Sequence, residues 1–170
     1  MAEILRVGIA GVGTVGASVV RMLAQQDEAL TARTGRKIVV TAISARDAGK
    51  DRGFPASGLH FFADPVQLAA SPDIDLFVEL IGGDEGAARA SVEAALKAGK
   101  AVVTANKALL AKHGLALAAL AEEKRVALAY EASVAGGIPI VKTLREGLAG
   151  NSIERVYGIL NGTCNYILSK

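Results

Sequence analysis

At 170 residues the chain has room for one good core, or for one domain and the opening of another, and a complete two-domain enzyme does not fit. It is 51% apolar but only 4% aromatic, which favours helices packed closely on a parallel sheet over an aromatic-rich binding module. A net charge of +2 from dispersed basic residues is no footprint for nucleic acid, and the single Cys164 excludes an internal disulfide framework and any multi-cysteine metal site. With neither a leader pattern nor an apolar run of membrane-spanning length, the cytoplasm is the expected compartment and no membrane partner is expected.

Ile4-Leu5-Arg6-Val7-Gly8-Ile9 reads as a buried parallel strand, and Gly8-Ile9-Ala10-Gly11-Val12-Gly13-Thr14-Val15-Gly16 carries it into a helical pattern. Gly11, Gly13 and Gly16 have the spacing at which a strand turns tightly, lets a pyrophosphate approach the backbone, and packs a helix on the sheet. The free N–H groups and positive dipole end of that helix would hold phosphate charge. A purely structural glycine turn is the competing reading. Val15, Val19, Met22 and Leu23 recur at helical spacing, and the helix is expected to end before Gly35.

Residues 37–44 are β-branched and uninterrupted, as a central parallel strand beside the first should be. Residues 46–58 read as a polar loop that moves rather than packs. After the short run 59–62, Asp64-Pro65 supplies a cap and a first-turn proline for a brief helix with Val66, Leu68 and Ala69 on its apolar side. Residues 75–81 form the next strand, ending in Gly82-Gly83, and a helix follows from Asp84 to Ala98 with Val92, Ala95 and Leu96 inward and Gly99 as its stop. A strand over 101–104 precedes a helix capped by Asn106 that runs from Lys107 to Lys124, and 126–130 is the strand after it.

This alternation of strand and helix predicts a doubly wound parallel α/β sheet of the Rossmann type with right-handed crossovers. A helix is expected from Pro139 to Leu148, and Gly150-Asn151 is the expected boundary. Residues 1–150 would form a dinucleotide-binding domain, and 151–170 would open a second, truncated α+β domain. Residues 152–160 alternate like a strand with one wet face, Asn161-Gly162-Thr163 ends it, and a helix begins at Thr163.

In such a sheet, ligands bind beyond the carboxyl ends of the strands. The second strand ends Ile43-Ser44-Ala45-Arg46, without the acidic residue that would hold ribose hydroxyls, and a guanidinium there suits a 2′-phosphate. NADP is therefore expected over NAD, against the reading of Arg46 as an ordinary surface residue. Gly82 and Gly83 would let backbone approach the nicotinamide ribose, or would simply make a turn. Lys107 opens a helix at the end where cations are disfavoured, so either it meets an anion or a polarised carbonyl, or its position carries no function. Glu131 ends an apolar strand and is followed by Gly136 and Gly137, whose flexibility would let carbonyl oxygens turn inward; such a set suits a hard cation, although from spacing alone a structural glutamate is the better reading. His60 and His113 have no partner at metal-ligand spacing and read as surface or edge residues, and Cys164 as a small buried hydrophobe.

These stretches, with Val78-Glu79-Leu80-Ile81-Gly82-Gly83, Thr104-Ala105-Asn106-Lys107, the run 130–140 from Tyr130 to Ile140, and Asn161-Gly162-Thr163-Cys164-Asn165-Tyr166-Ile167-Leu168, resemble the N-terminal part of the homoserine dehydrogenase family over nearly the whole chain. The glycine turn is generic; the last three stretches are specific. The resemblance implies reversible hydride transfer between NAD(P)H and L-aspartate 4-semialdehyde, giving L-homoserine on the path to threonine and methionine. By position it implies that Thr14 and Val15 touch the pyrophosphate, Arg46 the 2′-phosphate and Gly82 the nicotinamide side. Lys107 would lie near nicotinamide and substrate, where a protonated amine polarises the aldehyde oxygen and supports proton transfer. Glu131 with the backbone of Val134, Gly136 and Ile138 matches the family's sodium site, and Thr163 would approach the cofactor from the second domain.

The resemblance further implies a homodimer or higher homo-oligomer, and a mixed-sheet remainder beyond Lys170 that carries the substrate carboxylates and a second lysine. The chain alone is therefore expected to bind cofactor weakly and not turn over, and the start at Met1 to mark a stand-alone enzyme rather than a fusion. Two alternatives compete. Aspartate-semialdehyde dehydrogenase chemistry needs a thiolate with a base, whereas Cys164 sits in the homoserine dehydrogenase motif. An NADP-binding sensor or scaffold without catalysis would need no substrate domain.

Overall fold

The computed structural model describes residues 3–158; Thr163, Cys164 and the helix expected from Thr163 lie outside the described residues. β1 (Glu3–Ala10) is followed by α1 (Thr14–Gln25), α2 (Asp27–Thr34), β2 (Arg36–Ser44), β3 (His60–Phe62) and α3 (Pro65–Ala70). Then come β4 (Leu76–Glu79), α4 (Ala87–Lys97), β5 (Ala101–Thr104), α5 (Lys107–Lys124) and β6 (Leu128–Ala129). A 3₁₀ turn (Glu131–Ser133), the single turn α6 (Ile140–Lys142) and a π turn (Thr143–Gly147) complete the order.

The strands form one 6-stranded sheet in the order β3-β2-β1-β4-β5-β6, and every pairing is parallel. The chain winds from β1 outward to β3, then returns to β4 and winds the other way. The carboxyl ends of β1 and β4, which pair from Val7↔Leu76 to Ala10↔Glu79, therefore flank the point where the strand order reverses. In sheets of this class that crevice is where ligands bind.

Alternate strand residues serve opposite layers. Ala10, Phe77 and Val102 pack beneath α3, α4 and α5 with Leu68, Val92, Leu96, Leu109 and Leu117. Val7, Ile9, Ile43 and Val78 pack on the other face with Val12 and Val20, and there α1 shares the cover with Phe54 and Leu59 from the β2–β3 connection. Full burial of a side chain such as Phe77 or Leu96 stabilises the fold by about 1.5–3 kcal/mol.

Most expected elements form. The Asp64 carboxylate accepts from the Val66 N–H at 2.8 Å and caps α3 before Pro65. Asn106 Oδ1 accepts from the Leu109 N–H at 3.1 Å and starts α5 at Lys107. Gly99 takes the left-handed conformation (φ 72°) just past α4.

Several expectations are corrected. The first helix is two, broken at Gln26, whose N–H caps Met22 while a new helix starts at Asp27. Its buried face is Gly16, Ala17 and Val20, because the close approach to β1 is made by the small residues; Val15 and Met22 are exposed. The run 59–62 contains a strand, β3, which pairs with β2 through Ala42↔His60 to Ser44↔Phe62. The loop before it packs as well: Phe54 and Leu59 join the core, and Arg21 Nη1 donates to the Arg52 carbonyl at 3.0 Å. The helix expected over 139–148 is a short α turn passing into a π turn. Residues 152–158 of the expected strand form no regular structure and are exposed; none of the sheet's strands lies beside them to accept their backbone hydrogen bonds. Among the described residues no helix is long and apolar enough to cross a membrane.

Candidate functional site

The turn from β1 to α1 gives its three glycines different tasks. Gly11 has φ 91°, and a Cβ there would lie 2.4 Å from the Leu80 carbonyl oxygen of the neighbouring strand end. A Cβ on Gly16 would lie 2.1 Å from the carbonyl oxygen of Gly11, so only a bare backbone lets α1 sit this close to the strand. Around the Cβ position of Gly13 there is nothing within 4 Å. That open side is where a ligand backbone could approach.

Gly13 is also the N-cap of α1 and contributes no capping side chain. The first intrahelical bond runs from the Ala17 N–H to the Gly13 carbonyl at 2.9 Å, which leaves the N–H groups of Thr14, Val15 and Gly16 without helical acceptors. Together with the helix dipole, free N–H groups of this kind suit an anion. The turn is tied to β2 by the Gly11 N–H, which donates to the Ser44 carbonyl at 3.0 Å.

A cavity of about 930 Å³ opens over this turn, lined by Gly11 and Gly13, by Arg46 at the end of β2, and by Leu80 and Ile81 after β4. Lys50 and Arg52 add positive charge to the β2 side, with Asp47 beside them. Arg52 is committed to its own loop, donating to the Lys50 carbonyl at 2.6 Å and to the Asp47 carbonyl. Arg46 is exposed and lines the cavity. A free helix start, an unfilled Gly13 flank and a cationic strand end fit a dinucleotide with a phosphorylated ribose.

On the other side of the reversal point stand Gly82 and Lys107. Gly82 follows β4 with φ 84°, and Lys107 is the exposed first residue of α5; neither lines the cavity itself. What joins them is Glu79, a residue that sequence reading did not single out. Its carboxyl is fully buried, accepts from the N–H groups of Ile81 (2.8 Å) and Gly82 (3.0 Å), and accepts from the Thr104 hydroxyl at 2.6 Å. Asn106, the cap of α5, donates from Nδ2 to the Gly83 carbonyl at 2.6 Å. The signal was present in sequence: an acidic residue closes the otherwise apolar Leu76-Phe77-Val78.

The far end of the same loop is held by charge. Glu85 lies 2.8 Å from Lys112 Nζ, 2.9 Å from His113 Nε2 and 3.2 Å from Arg89 Nη1. Hydrogen bonds from Lys112, then His113 and Arg89, lower its pKa from 4.5 to about 2. His113 thus binds a carboxylate of the loop, and His60 on edge strand β3 bonds Asp73 at 2.8 Å.

Glu131, Val134, Gly136 and Ile138 occupy the segment after β6, apart from the glycine turn. Ser133 ties this segment to the site, its hydroxyl donating to the Thr104 carbonyl at 2.8 Å. The Glu131 carboxylate accepts from the Lys142 N–H at 3.2 and 3.3 Å, and the Ile138 carbonyl accepts from the Ile140 N–H at 2.8 Å. Each of these oxygens keeps a lone pair of the kind that hard cations take. Among the described residues no group of three or more His, Cys, Asp or Glu side chains stands ready for a metal.

Residues 11–131 match the family model described as homoserine dehydrogenase, NAD binding domain, and residues 139–170 match that of homoserine dehydrogenase. The chain is 45% identical over 166 residues to a homoserine dehydrogenase of Neisseria gonorrhoeae, covering 98% of this chain and 38% of the relative. It is 48% identical over 164 residues to that of Corynebacterium glutamicum, covering 95% and 36%. A solved homoserine dehydrogenase from Thiobacillus denitrificans superposes with a TM-score of 0.85 at 47% identity, over 98% of this chain and 38% of that one. A hyperthermophilic archaeal homoserine dehydrogenase in complex with NADPH superposes at 0.71 and 26% identity, over 87% and 50%. The chain thus spans well under half the length of the curated relatives it matches. With the glycine turn, the Glu79 strand end and the Asn106-Lys107 helix start all falling inside the matched residues, the chain belongs to the homoserine dehydrogenase family.

Proposed function

We propose that this chain is the cofactor-binding part of an NADP-preferring homoserine dehydrogenase, which interconverts L-aspartate 4-semialdehyde and L-homoserine. The observation that carries the proposal is the unfilled Gly13 flank at the uncapped start of α1, next to the cationic end of β2. The bound nicotinamide supplies or accepts the hydride. The backbone N–H groups of Thr14, Val15 and Gly16 hold the pyrophosphate and Arg46 grips the 2′-phosphate, while Gly82 lines the nicotinamide side. Lys107 gives a proton to the aldehyde oxygen in reduction and takes it back from the hydroxyl in oxidation. The NADPH complex of the archaeal relative supports the cofactor choice.

Glu131 and the carbonyls of Val134, Gly136 and Ile138 are proposed to hold a monovalent cation, sodium, which the hardness of the donors supports. We read residues 1–150 as the cofactor domain and 151–170 as the opening of the substrate-binding part, a reading supported by the second family match over 139–170. Thr163 would meet the cofactor from there. A homo-oligomer in the cytoplasm completes the proposal.

The test is titration of NADPH and NADH into the chain by fluorescence or calorimetry, with Arg46→Ala alongside. Tighter NADPH binding that Arg46→Ala erases supports the reading. Equal binding of both nucleotides by the wild type removes the NADP preference, and no binding of either removes the cofactor site.

A further inference from the structure

We propose that Glu79 is a positioning residue: its buried carboxyl locks the Gly82-Gly83 turn to the Lys107-bearing start of α5, presetting the surface on which the nicotinamide half of the cofactor lies. The inference rests on the function proposed above.

A wholly buried carboxyl is expensive unless its oxygens are hydrogen-bonded, and an apolar residue would serve a strand interior better. Every hydrogen bond that the Glu79 carboxyl makes goes to the site. Oε1 accepts from the Ile81 and Gly82 N–H groups and, at 3.5 Å, from Asn106 Nδ2, and Oε2 accepts from the Thr104 hydroxyl. Thr104 Oγ1 in turn accepts from the Asn106 N–H at 3.0 Å, and Asn106 caps α5 while its Nδ2 holds the Gly83 carbonyl. The circuit closes around one turn.

That turn has little else to hold it. Gly82 and Gly83 both have positive φ, 84° and 83°, and Cβ atoms there would meet nothing within 4 Å. Its shape is set by hydrogen bonds rather than packing. The turn follows β4, on the side of the reversal point away from Arg46. A dinucleotide that spans the crevice with its 2′-phosphate at Arg46 must lay its other half there.

The test compares two ligands on the 170-residue chain: NADPH and 2′-phospho-ADP-ribose, which lacks the nicotinamide. Glu79→Gln keeps the shape but replaces one of the two acceptor oxygens with an N–H₂ donor, so that either the Ile81 and Gly82 N–H groups or the Thr104 hydroxyl loses its acceptor. The expected result is NADPH binding weakened about tenfold with 2′-phospho-ADP-ribose nearly unchanged, together with faster hydrogen exchange at the Ile81 and Gly82 amides. Should Glu79→Gln fail to fold, Thr104→Val against Thr104→Ser decides the matter: serine keeps the hydroxyl and should bind like the wild type, while valine should lose NADPH selectively. Equal weakening of both ligands, or no weakening of either, overturns the proposal. A wild type that binds neither ligand overturns it as well, and is distinguished by taking the cofactor reading down with it.

Discussion

A Cβ on Gly16 would sit 2.1 Å from the carbonyl oxygen of Gly11, whereas one on Gly13 would find nothing within 4 Å. The two glycines should therefore fail in different ways. Gly16→Ala forces α1 away from the turn and should destabilise the fold by about 1–3 kcal/mol. Gly13→Ala should leave thermal unfolding nearly unchanged and weaken NADPH. Calorimetric melts and titrations of both variants separate a packing glycine from a ligand-facing one.

Arg46 lines the cavity where β2 ends. Arg46→Ala should reduce NADPH affinity by about tenfold or more, the value of a charge-assisted phosphate contact, and leave NADH almost unaffected. Paired titrations check this, and an equal loss for both nucleotides would place the 2′-phosphate elsewhere.

Lys107 stands first in α5, held by the Asn106 cap. The chain alone should not oxidise homoserine at a measurable rate. Joined to the remaining portion of the Neisseria relative it should do so, and Lys107→Ala in that chimera should lower kcat by about 10²–10⁴ with cofactor binding retained. Stopped-flow of NADPH formation is the assay.

Glu85 predicts a pH dependence. Its folded-state pKa is depressed from 4.5 to about 2 by Lys112, His113 and Arg89. A depressed carboxylate contributes stability that is present above the ordinary value and lost as the pH falls through the folded one. The wild type should therefore weaken between pH 4.5 and about 2, and Glu85→Gln should flatten part of that decline. Urea midpoints by circular dichroism at neutral pH and near pH 3 measure it.

Sodium should raise the melting temperature of the chain relative to choline at equal ionic strength, by mass action on the folded state. Glu131→Gln should abolish the difference. A wild type indifferent to the two salts would remove the proposed cation site.

Much of this molecule is legible in one dimension. The glycine spacing, the Asp64-Pro65 start of α3 and the Asn106 cap of α5 act within a few residues of themselves, and local sequence suffices to read them. The apolar face of α4 at Val92, Ala95 and Leu96 follows from helical periodicity and is fully buried. Two of the misread elements turn on partners distant in the chain. β3 is a strand because β2 lies open beside it, and residues 152–158 are irregular because none of the sheet's strands does the same for them.

The same division holds at the site. The sequence by itself determined the nucleotide turn, because a positive φ and two close backbone approaches admit only glycine at fixed spacing. Only the tertiary structure showed what the Glu79 carboxyl meets beyond its own turn, since Thr104 and Asn106 lie 25 and 27 residues away and reach it solely because β4 and β5 pair. Local chemistry is written along the chain; a buried polar circuit exists only once the strands that bear it are side by side.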